Sequence, residues 1–288
     1  MHIAIIAGGT TAEREVSIAS ANNIQKVIDF AETKLFVFPE EQEVFVEISD
    51  AFDLVIPMIH GAGGEDGELQ KFLDTQNIPY IFSGIAAHSV GINKTKTKEI
   101  VRSLVSVPKE YTISDGAYPI FAKPRFGGSS VASKFCHTRE ELNQLIAENP
   151  EIDFMFEEPI KGREFTVGVI ESKGETLPLP VIEIIPKGDF FDFETKYGSE
   201  NNEREICPAH INEVLSEKLQ AISLAVHKEI GAKHISRSDF IVTPENEIYF
   251  LEINTIPGMT AASLVPKMLK EANLSLGDLL KEWCENIA

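Results

Sequence analysis

The run IYFLEIN ends a predicted strand with a carboxylate and an amide two positions apart. Glu252 and Asn254 face the same side of that strand, because side chains at positions i and i+2 of a strand share a face. A second β-prone run, SRSDFIV, precedes it, and the intervening TPENE contains the Pro and Asn that favour a turn. These features predict an antiparallel hairpin with polar chemistry at its open end.

A turn centred on the Glu-Asn bond of TPENE places Asp239 opposite Glu252 and Arg237 opposite Asn254. An Asp facing a Glu destabilises a strand pair unless a cation lies between the two carboxylates. Carboxylate and amide oxygens suit Mg²⁺, which also binds phosphate oxygens. The pattern therefore predicts Asp239, Glu252 and Asn254 as metal ligands, with Arg237 beside them to neutralise a phosphate or an oxyanion. A surface hairpin with unrelated charges is the alternative.

KPRFGGSSVASKF is the segment best suited to bind a phosphate, although the chain contains neither GxxxxGK[ST] nor GxGxxG. Lys123 ends a predicted strand, and the glycines that follow it let backbone amides approach an anion. Ser129 and Ser130 add hydroxyl groups, and Lys94, near the start of the predicted helix NKTKTKEIVRSL, can reach the same anion. An ordinary loop with lysines is the alternative interpretation.

FMFEEPIKGRE has the features of a nucleotide-binding slot. The backbone near Ile160 is predicted to meet the adenine edge, while Glu157 and Glu164 accept hydrogen bonds from the amino group and the ribose. Pro159 suits the edge of a sheet because it donates no ladder hydrogen bond. The alternative is an ordinary edge strand with solvated acids.

Strands and helices that can position these groups alternate over the first ~85 residues, which predicts a doubly wound parallel sheet with ligands at the carboxyl ends of its strands. Two such ends are followed by GGTTAERE and HGAGGEDG. Residues 86–168 are typical of a small α+β module, and residues 169–288 contain further strands, a polar loop and long helices. The predicted fold class is therefore α/β and α+β.

The composition restricts the class of function. The chain has 288 residues, 43% of them hydrophobic, and a formal net charge of −19, which disfavours binding to nucleic acid or anionic lipid. Its three cysteines have no CxxC spacing and predict a reduced, cytoplasmic protein without a disulfide framework. No apolar run is long enough to cross a bilayer.

These segments together resemble the D-alanine–D-alanine ligases of the ATP-grasp superfamily. The most specific matches are EREVS, HGAGGEDG and NTIPGMTAASLVP, and NKTKTK, AKPRFGGSSV, EEPIKGREFTV, FDFETKYGS and SRSDF lie between them in the family's order. The resemblance implies a three-domain ATP-grasp fold. It has an N-terminal doubly wound (pre-ATP-grasp) domain over 1–85, a central subdomain over 86–168 and a C-terminal subdomain over 169–288, with ATP between the last two.

The resemblance also implies a reaction. A D-alanine carboxylate attacks the γ-phosphate of ATP, and the amine of a second D-alanine displaces phosphate from the acyl phosphate to yield D-alanyl-D-alanine for peptidoglycan synthesis. The implied cofactor is two Mg²⁺ ions, for which Mn²⁺ can substitute, and the implied assembly is a homodimer.

For the first substrate, the resemblance implies that Glu13 binds the ammonium group and that Ser129 and Tyr197 hydrogen-bond with Glu13. His60 is expected near the same D-alanine, with Glu65 supporting the polar network.

The resemblance also implies which residues bind the phosphates and the second substrate. Lys94 and Lys123 bind the nucleotide phosphates, and Lys196 reaches the γ-phosphate or the second carboxylate. The acyl phosphate and the oxyanion are stabilised by Arg237 and the backbone amide of Gly258. Ser263 and the amide of Leu264 hold the second carboxylate, and the polar loop 189–205 is predicted to close as a lid.

Several alternatives remain open at this stage. The same scaffold serves D-Ala–D-Ser and other dipeptide ligases, although Tyr197 favours an amine nucleophile. A non-catalytic ATP-binding homologue and a dehydrogenase with a Rossmann fold are further candidates, the latter disfavoured by the absence of GxGxxG. Gly127, Pro159 and Ala262 depart from the residues usual in the family, and they bear on nucleotide affinity and selectivity for the second substrate.

Overall fold

The computed structural model describes residues 1–116, 118–128, 132–185 and 204–287. None of the helices in these ranges is both long and apolar enough to cross a bilayer. The strands are β1 (His2–Gly8), β2 (Glu32–Phe38), β3 (Leu54–Pro57), β4 (Glu110–Tyr111), β5 (Ile120–Pro124), β6 (Lys134–Cys136), β7 (Phe154–Glu157), β8 (Arg163–Ser172), β9 (Glu175–Pro178), β10 (Ile182–Ile185), β11 (Arg204–Ile206), β12 (Ile235–Val242) and β13 (Ile248–Asn254). The α-helices are α1 (Arg14–Val27), α2 (Gln42–Ile48), α3 (Glu68–Thr75), α4 (Ile85–Gly91), α5 (Lys94–Val101), α6 (Arg139–Glu148), α7 (Glu213–Ile230), α8 (Leu264–Glu271) and α9 (Leu276–Glu285).

The N-terminal unit is built on a parallel sheet with the strand order β2-β1-β3. Side chains of β1 alternate between two cores: Ile3 and Ile5 belong to one, and Ile6 packs with Phe36 and Phe45 in the other. Because both faces are covered, β1 is a continuous apolar run. The βαβ pattern of the sequence predicted this parallel sheet, and the structure confirms it.

An antiparallel sheet with the order β4-β7-β5-β6 follows in the chain. Helix α6 covers it, with Leu142 and Leu145 packing on Ile120 and Phe154. The hydroxyl of Thr138 accepts a hydrogen bond from the backbone N–H of Glu141, so this helix has a well-formed N-terminus. The sheet positions β5 and the turn that follows it.

The largest sheet follows the path β11-β10-β8-β12-β13, with β9 beside β8. On one face Phe165 and Phe240 pack with Leu219 of α7. On the other face Ile170 packs in a core that also contains Trp283 of α9 and reaches the N-terminal sheet. The C-terminal helices therefore lie between the two sheets and join the two units.

Helices α4 and α5 pack by their apolar side chains on this largest sheet. Ala87 and Val101 lie in the same core as Phe165, and Ser106 forms a bridge with Tyr249 of β13. The sequence placed these helices in a central unit. The boundaries 1–85, 86–168 and 169–288 remain a prediction.

Candidate active site

The hairpin of β12 and β13 has the polar pairs that the sequence predicted. Arg237 lies opposite Asn254, and Asp239 lies opposite Glu252. The predicted position of the turn is wrong by one residue, because Val242 pairs with Ile248, and a β-bulge between positions 239 and 240 corrects the register. The bulge places Glu252 rather than Leu251 opposite Asp239, so both carboxylates lie at the same end of the hairpin.

The carboxylate of Asp239 accepts hydrogen bonds from three side chains. Arg237 donates from Nε to Oδ1 at 3.0 Å and from Nη2 to Oδ2 at 2.9 Å. The hydroxyl of Thr166 on β8 donates to Oδ1 at 2.5 Å, and Nδ2 of Asn254 donates to Oδ2 at 3.3 Å. Burial lowers the pKa of Arg237, but the Asp239, Glu252 and Glu65 carboxylates together outweigh burial and raise that pKa above its usual range.

The second carboxylate of the hairpin faces a lysine from a different part of the chain. Nζ of Lys94, the first residue of α5, lies 3.3 Å from Oε2 of Glu252 and also donates to the carbonyl oxygen of Gly127. Burial raises the pKa of Glu252, but Lys94, Lys123 and Arg237 outweigh burial and hold that pKa below its usual value. Glu252 therefore stays ionised, surrounded by several cationic side chains.

Glu157, which the sequence analysis assigns to the nucleotide slot, lies between two lysines. Its carboxylate pairs with Nζ of Lys98 and, at 2.9 Å, with Nζ of Lys123, and only 2% of the residue is exposed. The carboxylate is thus engaged by two lysines, and its role as an acceptor for the nucleotide stays a prediction. The other predicted nucleotide contacts are both partly exposed: Ile160 lies in the loop between β7 and β8, and Glu164 lies at the start of β8.

The ion pairs of this cluster shift the pKa values of its members. Burial raises the pKa of Glu157, but Lys123 and Lys98 outweigh burial and lower it. Burial, together with the charge of Lys123, lowers the pKa of Lys98 to about 7, against the opposing effect of Glu157. Burial also lowers the pKa of Lys123, but Glu157 and Glu252 outweigh burial and raise it.

Glu13 lies immediately before α1, between a loop of the same N-terminal unit and the turn that follows β5. A Cβ added to Gly61 would lie 3.0 Å from Oε2 of Glu13, and a Cβ added to Gly128 would lie 3.1 Å from Oε1. The Glu13 carboxylate makes no capping hydrogen bond to its helix. The fold therefore brings the glutamate of EREVS, the HGAGGEDG loop and the turn after β5 to one point.

His60 and Glu65 connect the HGAGGEDG loop to the loop after β13. Oε2 of Glu65 accepts from the backbone N–H of Gly61 at 3.0 Å, and Oε1 accepts from the N–H of Ile256 at 2.9 Å. Burial raises the pKa of Glu65, opposed by His60. Nε2 of His60 lies 3.5 Å from the hydroxyl of Ser20. The two hydrogen bonds of Glu65 fix the HGAGGEDG loop relative to the segment that contains Gly258.

Ser263 precedes α8, whose first residue is Leu264. The Oγ of Ser263 accepts from the backbone N–H of Thr260 at 3.1 Å and lies 2.7 Å from the Thr260 hydroxyl. A Cβ added to Gly258 would lie 3.0 Å from the same Oγ, so the glycine allows the loop to close tightly. The N-terminus of a helix next to a serine hydroxyl can bind a carboxylate.

A small cavity joins these parts of the fold. Its lining consists of Glu65, Gly91, Ile92, Lys94, Gly127, Gly128, Glu252, Ile253 and Asn254. Ser129, Lys196, Tyr197 and most of the predicted lid, 189–205, lie outside the described residues.

The donor set of the hairpin fits a divalent cation. Asp239 and Glu252 face each other, and each is compensated by a cationic side chain, Arg237 or Lys94. Within the described ranges, no group of three or more His, Cys, Asp or Glu residues could hold a metal. Two carboxylates and the amide of Asn254 suit Mg²⁺, which takes few protein ligands and keeps water and phosphate oxygens.

Thr166 and Lys98 are two residues of the site that the sequence analysis missed. Thr166 lies opposite Asp239 in the β8–β12 pair, and only knowledge of that pairing could have identified it. Lys98 is four positions after Lys94 on α5 and so lies on the same helix face. This four-residue spacing from Lys94 could have identified Lys98 from the sequence.

Comparisons with known proteins give matches over most or all of the chain. The family model described as D-ala D-ala ligase C-terminus matches residues 87–285. A D-alanine--D-alanine ligase of Maridesulfovibrio salexigens is 36% identical over 299 residues, covering 99% of this chain and 98% of that relative.

Two solved structures resemble the whole chain. D-alanyl-alanine synthetase A from Vibrio cholerae has a TM-score of 0.87 at 27% identity and covers 100% of this chain and 98% of its own. A D-alanine--D-alanine ligase from Bacillus anthracis, complexed with ATP, has a TM-score of 0.83 at 26% identity and covers 99% and 96%.

Proposed function

Because this chain belongs to the D-alanine–D-alanine ligase family, we propose that it joins two D-alanine molecules, with cleavage of ATP to ADP and phosphate, to supply D-alanyl-D-alanine for peptidoglycan synthesis. The observation that carries this proposal is the convergence of Asp239, Glu252, Arg237 and Lys94 at the open end of one hairpin. That arrangement suits a nucleotide triphosphate with its metal, because it combines hard oxygen ligands with cations.

In this proposal Lys94 and Lys123 bind the phosphates of ATP, with Glu157, Glu164 and the backbone at Ile160 near the nucleoside. Asp239, Glu252 and Asn254 would hold two Mg²⁺ ions, or Mn²⁺ in their place. Bound there, the metal neutralises charge on the transferring phosphate. The burial of Lys94 and Lys123 supports these roles, because electrostatic attraction to phosphate is stronger away from water.

Glu13 binds the ammonium group of the first D-alanine, and His60 helps to orient the same molecule. One carboxylate oxygen of this D-alanine attacks the γ-phosphorus, the bond from that phosphorus to ADP breaks, and an acyl phosphate forms. The position of Glu13 between Gly61 and Gly128 supports the assignment, because the turn containing Gly128 follows the strand that carries Lys123.

The second D-alanine is held through its carboxylate by Ser263 and the amide of Leu264. Its amine, after losing a proton, forms a bond to the acyl carbon, and phosphate leaves with its electron pair. Arg237 and the amide of Gly258 stabilise the oxyanion of the tetrahedral intermediate, which exists after the new bond forms and before phosphate leaves. Ser129, Tyr197 and Lys196 are assigned their expected roles by resemblance.

The experiment that tests this function measures ADP and phosphate release from ATP and Mg²⁺ with D-alanine, and with L-alanine as the control. Release that depends on D-alanine, together with a product of the mass of the dipeptide, is the expected result. ATP binding without product would instead identify a non-catalytic homologue. A mixture of D-alanine and D-serine, resolved by mass spectrometry, distinguishes a D-Ala–D-Ser ligase.

We also propose a homodimer in the cytoplasm, on the basis of family resemblance. Sedimentation of the purified protein is expected to give the mass of two chains of 31.9 kDa.

A further inference from the structure

Three buried side chains form a charged cluster next to the candidate phosphate site. Lys98, Lys123 and Glu157 are 4%, 6% and 2% exposed. One carboxylate oxygen of Glu157 pairs with Nζ of Lys98, and the other pairs with Nζ of Lys123 at 2.9 Å. The roles assigned above use Lys123, but they leave the buried Lys98 without a task.

The three residues come from three different elements, so the cluster is a product of the tertiary fold. Lys98 lies on α5, Lys123 near the end of β5 and Glu157 at the end of β7. Strands β5 and β7 are paired, with Phe121 opposite Glu157, and Lys123 lies two residues further along β5 on the same face. Lys98 approaches from the helix and completes the arrangement.

The balance of charge in this region depends on Lys98. With Lys94 and Glu252 included, three lysines face two glutamates, and one positive charge is left over in the form of the protein in which Lys98 is protonated. Lys123 is attracted by both Glu157 and Glu252. Without Lys98, the two remaining lysines would be fully compensated by the two carboxylates, and no surplus charge would attract a phosphate.

We infer that Lys98 is a positioning residue for nucleotide binding: it neutralises Glu157 and so leaves Lys123 oriented and available for a phosphate of ATP. This inference rests on the proposed function, because that function places the phosphates at Lys123. Lys98 acts through Glu157 and Lys123. The ammonium group of Lys98, on α5, pairs with Oε1 of Glu157, whereas Lys123 pairs with Oε2.

The test compares Lys98→Met with Lys96→Met, since Lys96 is an exposed residue on the same helix. Binding of ATP and of ADP is measured calorimetrically without D-alanine, and KM values for ATP and D-alanine are measured separately. We expect Lys98→Met to weaken nucleotide binding by about tenfold, as for other residues that orient a ligand-binding group, with the KM for D-alanine little changed. Lys96→Met is expected to match the wild type.

The double variant Lys98→Met/Glu157→Gln separates action through Glu157 from direct contact with the nucleotide. The double variant restores the surplus positive charge, so its nucleotide affinity is expected to return to within roughly threefold of the wild type. The effects of the substitutions at positions 98 and 157 on affinity are therefore expected to be strongly coupled. Additive losses, or unchanged binding in Lys98→Met, would overturn the inference. If Lys98→Met does not fold, the double variant decides. A tenfold loss of nucleotide affinity in the double variant would overturn the inference.

Measurements on the wild-type protein distinguish a failure of the inference about Lys98 from a failure of the proposed function. Wild type that binds ATP but forms no dipeptide refutes the ligase activity while leaving the comparison of nucleotide affinities intact. Wild type that does not bind ATP refutes both.

Discussion

Thr166 on β8 donates its hydroxyl proton to Oδ1 of Asp239 on β12 at 2.5 Å, across a directly opposed pair of the largest sheet. The hydrogen bond fixes the rotation of the carboxylate that we assign to the metal. Arg237 binds the same carboxylate through two parallel hydrogen bonds, so the group is oriented before any metal arrives.

Replacing Thr166 with Val is expected to weaken metal binding by about tenfold, because residues that orient a metal ligand typically contribute that much affinity. The change keeps the shape of the side chain and removes only the donor. The dependence of dipeptide formation on Mg²⁺ concentration, and Mn²⁺ binding in the presence of ADP, are the measurements. Thr176→Val on β9 is the control, and an unchanged metal dependence in Thr166→Val would contradict the role given to the hydrogen bond.

Glu252→Gln is expected to lower turnover by about 100-fold or more, because a neutral amide is a much weaker ligand for Mg²⁺ than a carboxylate. The substitution preserves side-chain volume, so the melting temperature should change little. Turnover and thermal unfolding are measured on the same preparation. Near-normal turnover in a folded Glu252→Gln protein would refute the metal assignment.

The predictions that the sequence supported best concern residues close together in the chain. The pairing of Asp239 with Glu252 was predicted from two β-prone runs and an assumed turn centre between Glu245 and Asn246. The bulge beside Asp239 was not predicted, because nothing in TPENE distinguishes a turn one residue earlier from the one expected. The polar pairs were correct and the turn was misplaced, since the bulge absorbs the difference.

Contacts between distant segments were harder to predict. The sequence contains no sign that Lys98 and Lys123 would both meet Glu157 in the folded chain. The packing of Ala87 and Val101 on the largest sheet was likewise missed, because hydrophobic spacing shows which face of a helix is buried but not against which partner.

Gly128→Ala is expected to raise the KM for the first D-alanine several-fold. The added Cβ would lie 3.1 Å from Oε1 of Glu13, which is closer than an ordinary contact, so the carboxylate must shift. The KM values of both substrates are measured, and that for ATP should change less. Gly84→Ala is the matched control, since its nearest heavy atom is 3.9 Å away. Equal behaviour of the two variants would contradict the placement of Glu13.

Ser263→Ala is expected to raise the KM for the second D-alanine more than that for ATP. The Oγ of Ser263 is held by Thr260 at the N-terminus of α8, where a carboxylate is favoured. Initial rates over a wide range of D-alanine concentration separate the two D-alanine sites. An effect confined to ATP would contradict the assignment, and Ser275→Ala, at the start of the neighbouring α9, controls for loss of a serine at a helix N-terminus.

His88 is expected to make folding sensitive to acid. Burial lowers its pKa to about 4, against weaker opposing effects from Ser83 and Asp66, and its Nδ1 lies 2.8 Å from the hydroxyl of Thr255. In the unfolded chain the pKa of histidine is about 6.5. Between these values the unfolded state binds more protons than the native state. Stability is therefore fully present above pH ~6.5 and declines as the pH falls towards 4, by at most about 3 kcal/mol.

The His88→Asn variant tests this expectation, because Asn retains a polar group near Thr255 and does not titrate. The free energy of unfolding is measured by urea titration at several pH values between 4 and 7 for both proteins. The wild type should lose more stability than His88→Asn as the pH falls. His137→Asn, which alters an exposed histidine, should follow the wild type. Parallel curves for the wild type and His88→Asn would show that the buried imidazole is not the source of the acid sensitivity.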